Sequence, residues 1–267
     1  MGFRRLVTKK RLTLTFVLLG MLIFLFIIVP LGKMLFASVS EPEILWKTIL
    51  DPDVTNAIGL TLFAALIATL VGFLLGVPLA YLLARTEFFG KRLIEGLIDV
   101  PIVVPHTAAG IALLFVFGQK FALGKAFNFL GIKFVDTPAG IIVAMLFVSI
   151  PFLIDSAKEG FKKVDVRLEN VARTLGASPW QAFIRISFPL AGRSILAGNI
   201  MMWARGISEF GAVIILAYHP MIAPVLVYER FETYGLDYAR PIAVLLIFVS
   251  VLVFIGLRTI AHRGERI

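Results

Sequence analysis

Six apolar runs separated by short polar segments organise this chain: Leu12 to Leu31, Ala57 to Ala84, Val100 to Gly118, Pro138 to Ile154, Pro189 to Ala217 and Pro241 to Leu257. A helix needs roughly 20 mainly apolar residues to cross a bilayer, and the runs approach or exceed that length. The pattern predicts an all-α membrane protein with about six transmembrane helices. The first run follows Arg4, Arg5, Lys9, Lys10 and Arg11, as a signal peptide would. Its apolar stretch is too long for a signal core and no small-x-small cleavage site follows, so a retained helix is expected. Between the first two runs, Glu41 to Asp53 carries Pro42 and Pro52 around Ile44, Leu45, Trp46, Ile49 and Leu50. That mixture predicts a short helix lying at the outer interface. Gly72 and Gly76 give the second run a GxxxG spacing, which lets helices approach closely.

Composition narrows the class. The 267 residues are 59% hydrophobic and only 16% charged, where a soluble domain is nearer half apolar and a quarter charged. The net charge of +9 does not gather on one polar face, as nucleic-acid binding would require; it lies in the segments between apolar runs. With no cysteine, disulfides, Cys-ligated metals and thiol catalysis are excluded. Lys and Arg set the orientation of membrane helices. With the N-terminus inside, seventeen fall on the cytoplasmic side and seven in outer loops, so both termini are expected in the cytoplasm. The outer loop with Lys120, Lys125 and Lys133 runs against that bias.

The segment Leu168 to Gly192, LENVARTLGASPWQAFIRISFPLAG, is longer than a connection needs. Val171, Leu175 and Trp180 offer an apolar side. Gly176 interrupts the helical pattern, and Ser178 with Pro179 restarts it as N-cap and first helical residue. Two short helices meeting at a glycine, with a third entering the membrane at Pro189, make a docking element. The phosphate-binding pattern GxxxxGK followed by Ser or Thr is absent, so any energy from ATP arrives through another chain.

These residues resemble the signature loop of prokaryotic ABC importer permeases: EAA, three residues, Gly, nine residues, Ile-x-Leu-Pro. Gly176 and Ile186 have nine residues between them, and Ile186-Ser187-Phe188-Pro189 supplies the tail with Phe for Leu. Asn170-Val171-Ala172 occupies the EAA positions and Glu169 lies one place earlier, as in the sulfate and molybdate branch. Asp99 to His106 with Gly110, Arg205 to Ala212, and Tyr218 to Pro224 with Tyr228-Glu229-Arg230 are most similar to archaeal molybdate/tungstate permeases. The resemblance runs from about Asn56 to the C-terminus. It divides the chain into residues 1–55 and a permease core, 56–267, with a coupling loop at 158–188. It implies a type I ABC importer transmembrane domain acting as a homodimer in the cell membrane of a bacterium or archaeon, with two ATPase subunits below and an extracytoplasmic oxyanion-binding protein above. ATP and Mg would bind the ATPase; no cofactor is expected here. It places the ATPase contact at Glu169, Arg173, Thr174, Leu175, Gly176, Ala177, Ser178, Pro179 and Trp180. Molybdate or tungstate is the implied substrate, with sulfate or thiosulfate the alternative.

Charged residues inside apolar runs face a bundle interior or a cavity. Arg205 and Glu209, four apart, read first as a one-turn ion pair that fixes packing; the functional reading gives Arg205 to the passing dianion and Glu209 to a gate. Ser208 either faces the pathway or bonds back to its own helix. His106 and Thr107, beside Pro105, are pathway candidates, with an interfacial histidine as the plainer reading. Three histidines and no cysteine make a metal site improbable. Asp99, His106 and Asp155 show no nucleophile and base spacing, which argues against an intramembrane enzyme. No repeat between halves supports an ion-coupled carrier working alone.

Overall fold

The computed structural model describes residues 2–263, and the side chains of residues 12–259. The side chains of the basic cluster Arg4 to Arg11 and of Arg263, and all of Arg266, lie outside the described set. No strand occurs among the described residues.

Helix α1 (Gly2–Val39) is followed by α2 (Pro42–Leu50), the short helix expected at Glu41 to Asp53. Helix α3 (Pro52–Arg85) starts where Asp51 accepts the backbone N–H of Asp53 at 2.9 Å and Pro52 fills the first turn. Its buried face reads Val54, Ala57, Thr61, Ala64, Ala65, Ala68, Gly72, Gly76, Ala80 and Leu83, a stripe of small residues at helical spacing. Small side chains let backbones close in where lipid offers no hydrophobic drive. A Cβ on Gly72 would stand 2.3 Å from Met202 Cε, and one on Gly76 3.2 Å from Ile154 Cγ1. The GxxxG pair is thus where α3 meets α7 (Pro138–Lys163) and α10 (Phe188–Ile207). These three form the centre of the bundle, filled by Ala64, Ala68, Ile141, Ala144, Met145, Val148 and Trp203, and toward the C-terminal ends of α3 and α7 by Leu83, Leu153, Phe161 and Ile195.

Among the described residues, four helices are long and apolar enough to cross a membrane unaided: α1, α3, α7 and α13 (Leu236–Arg263). The third and fifth expected spans are not continuous. Val100 to Gly118 divides into α4 (Lys91–Val103) and α5 (His106–Phe117), bent by 115°. Pro105 lacks an N–H and drives Val104 to an extended φ of −69° and ψ of 132°. Pro189 to Ala217 is α10, then a break at Ser208 to Phe210, then α11 (Gly211–Leu216). By length and composition the helices supply four spans, or five if the bent pair counts as one; α10, with Arg193, Asn199 and Arg205 in its 20 residues, is the least apolar of the expected crossings. One end of the bundle carries α6 (Ala122–Phe129) and α12 (Ala223–Tyr234). At the other, α8 (Val166–Thr174), α9 (Pro179–Ala182) and a π-helical turn at Phe183–Ser187 lead into α10.

Candidate functional site

The loop between α7 and α10 has a buried root and an exposed tip. At its root, Asp165 caps α8 by accepting the N–H of Arg167. Glu169, 7% exposed, turns inward. Ser187 donates to it at 2.6 Å, Tyr81 at 2.9 Å and Arg85 Nε at 2.7 Å, while Arg85 Nη2 also reaches the Val164 carbonyl at 3.0 Å. The sequence grouped Glu169 with residues facing the ATPase. Its side chain instead ties α8 to the end of α3 and to the π-helical turn. Its partners lie 84 and 88 positions upstream and 18 downstream, and no local pattern announces them.

The tip follows the expected plan. Gly176 adopts φ +91°, the left-handed conformation in which a side chain is strained. Ser178 then caps α9: it accepts from Gln181 N, and Gln181 accepts from Ser178 N at 2.8 Å, a complete capping box with Pro179 in the first turn. Arg173, Thr174, Gly176, Ser178 and Pro179 are exposed and Ala177 is half-buried. Leu175 is 83% exposed and Trp180 67% exposed. Trp180 stacks on Phe183 with centroids 5.5 Å apart, so one ring face is backed and the rest is free. An apolar residue with a rigid aromatic neighbour, on a tip this well capped, has the make-up of an interface anchor.

The second site is the meeting of the two helix breaks. Helix α5 packs on α11 so closely that a Cβ on Gly110 would come 2.8 Å from Ala212 O, and one on Gly211 2.6 Å from His106 Cβ. That contact brings His106 to Glu209 and Arg205. Glu209, 1% exposed, accepts the N–H of Ala212 through Oε1 at 2.8 Å. Its Oε2 lies 2.6 Å from His106 Nδ1 and 3.0 Å from Arg205 Nη2. Arg205 Nη2 is also 2.7 Å from His106 Nδ1 and 2.8 Å from Nε2, so it sits against the ring between its two nitrogens. Which ring nitrogen donates is set by the tautomer; with the proton on Nδ1 the ring donates to Glu209 Oε2. Arg205 Nη1 donates to Ser208 Oγ at 3.2 Å, and that hydroxyl bonds back to the Arg205 carbonyl at 3.0 Å. Thr107 is exposed beside His106. The structure therefore joins Arg205, Ser208, Glu209 and His106 in one network. No group of three or more His, Asp or Glu arranged to hold a metal exists among the described residues.

The chain is a helical membrane protein with a capped loop between α7 and α10 and a buried charged network between α5 and the end of α10. Solved structures carry the same fold. A bacterial ABC transporter that imports the polysaccharide alginate aligns over 98% of this chain and 99% of its own with a TM-score of 0.76, at 15% identity. The MetNI methionine ABC transporter in inward-facing form aligns over 79% and 95% with a TM-score of 0.62. The model of the family described as binding-protein-dependent transport system inner membrane component matches residues 76–265, and the chain belongs to that family. Among relatives, the molybdate/tungstate transport system permease protein of Thermococcus kodakarensis is 46% identical over 93% of this chain and 95% of its own. That of Pyrococcus furiosus is 46% identical over 96% and 98%. The probable sulfate transport system permease protein of Chlorokybus atmophyticus is 33% identical over 91% and 87%.

Proposed function

We propose that this chain is the permease of an ATP-driven molybdate/tungstate importer, working as a homodimer with two ATPase subunits and an extracytoplasmic binding protein in the cell membrane. The observation that carries the substrate class is the 46% identity to two archaeal molybdate/tungstate permeases over nearly the whole chain, against 33% to a sulfate permease. In this reading Arg173, Thr174, Leu175, Gly176, Ala177, Ser178, Pro179 and Trp180 form the tip that enters a groove on the ATPase. Glu169 positions the tip from inside. Arg205, Ser208, Glu209, His106 and Thr107 line the oxyanion's route, with Arg205 the one cation of that network. Nucleotide and Mg bind the ATPase, and closure of the ATPase pair draws the two tips together and turns the pathway outward.

The test is co-purification of the tagged chain with its candidate ATPase, wild type beside a Trp180→Ala, Gly176→Asp double variant, followed by ATP-driven molybdate uptake in vesicles. The wild type is expected to retain the ATPase and accumulate molybdate, and the variant to lose both while remaining inserted. A variant that binds and transports like wild type removes the docking role from this loop. A folded wild type that binds no ATPase removes the importer reading.

A further inference from the structure

Arg205 is held by more than a packing pair requires, and the two halves of its ion pair differ in surroundings. The guanidinium is 23% exposed and the Glu209 side chain 1%. Glu209 is also fixed by the Ala212 N–H and the His106 ring. If the arginine swings away, the carboxylate keeps both of those contacts but loses the guanidinium. An ionised carboxylate so placed draws the cation back, because an unpaired buried charge is costly. On α4 and α7, Glu95, Asp155 and Lys158 pair among themselves, Asp99 on α4 keeps a buried Oδ1 without a hydrogen bond, and α11 has no titratable side chain. Glu209 is thus the one anion paired with Arg205 among the described residues.

We infer that Glu209 is a positioning residue that competes with the passing oxyanion for Arg205, and that this competition releases the anion from the pathway. The inference rests on the oxyanion-permease reading above. A tetrahedral dianion offers the guanidinium two oxygens in the geometry it prefers. Arg205 transfers to it while His106 and Ala212 hold Glu209 in place. The uncompensated carboxylate then pulls the arginine back and frees the anion.

Glu209→Gln removes the charge and keeps the acceptor of the Ala212 N–H; its amide NH2 faces His106 Nδ1, which accepts it when the ring proton is on Nε2. Two measurements read the effect: equilibrium dialysis of tungstate against the purified permease–ATPase complex without binding protein, and uptake with saturating liganded binding protein. Tungstate is expected to bind the Glu209→Gln complex about tenfold more tightly than wild type, the lower end for removing a competing charge partner. Its maximal uptake is expected to fall, and Glu209→Asp to restore much of it. Adding Arg205→Gln to Glu209→Gln is expected to abolish the extra affinity. A structural role for Glu209 would lower uptake with no gain in tungstate binding, and that result overturns the inference alone. Failure of the wild-type complex to take up any oxyanion overturns the function reading and this inference together.

Discussion

Glu169 shows how a carboxylate stays ionised inside a protein. Burial pushes its pKa up, but the hydrogen bonds from Ser187, Tyr81 and Arg85 and the charge of Arg85 outweigh that and hold it below the usual carboxylate value. A lowered folded pKa contributes stability that is complete above the unfolded value of about 4.3 and is lost as pH falls through the folded value. Truncation to Ala leaves the Arg85 side chain, 9% exposed, with the Val164 carbonyl and the Tyr81 ring face but no counter-charge from Glu169. Breaking one side of a buried pair costs about 3 kcal/mol. Glu169→Ala is therefore expected to speed amide hydrogen exchange across residues 166–175, and Glu169→Gln to remove the acid-induced loss of protection expected of wild type. Unchanged exchange in both variants would show that α8 is held by its other contacts. The sequence placed Glu169 in the right segment because its position is tied to Gly176 and Pro189. It could not place the side chain, because the partners on α3 are remote in the chain.

At the scale of elements, the two interrupted helices hold the charged network. Ser178 and Pro179 were legible as a helix start because capping is a local affair of two or three residues. Pro101 and Pro105 marked a weak point in the third apolar run, but not a bend of 115°. The break after α10 carried no proline at all; it exists because Glu209 captures the N–H of Ala212 and starts a new helix. Hydropathy averages over such events, so both runs read as single crossings. The break depends on close approach. Gly211→Val places a Cβ 2.6 Å from His106 Cβ, and overpacking of this kind costs about 1–3 kcal/mol. Gly192, with nothing within 4 Å, is the control. Gly211→Val is expected to lower the thermal unfolding temperature of the purified chain and to impair uptake, and Gly192→Ala to do neither. Equal behaviour of the two would mean the α5 and α11 contact adapts freely.

Over the whole molecule, apolar surface is distributed unequally. None of the apolar window of α1 is buried, against half of that of α7. Its outward residues, Leu18, Leu22, Phe26 and Phe36 among them, suit lipid or a second copy of the chain. Charge bias places α2 outside and the α8–α9 loop inside. The absence of cysteine makes this directly measurable, with Trp46 62% exposed on α2 and Trp180 67% exposed on α9. A membrane-impermeant maleimide is expected to label Trp46→Cys only in right-side-out vesicles and Trp180→Cys only in inverted ones. The reverse pattern would invert the topology and take the loop away from any cytoplasmic ATPase. If the expected sidedness holds, the latch at Glu169 has a mechanical consequence. A tip stapled by its own capping box and bolted at its root to α3 and α10 has little compliance. A push on Trp180 is then delivered as rotation of those two helices, like torque through a stiff crank, and softening the root would waste the stroke before it reached the membrane.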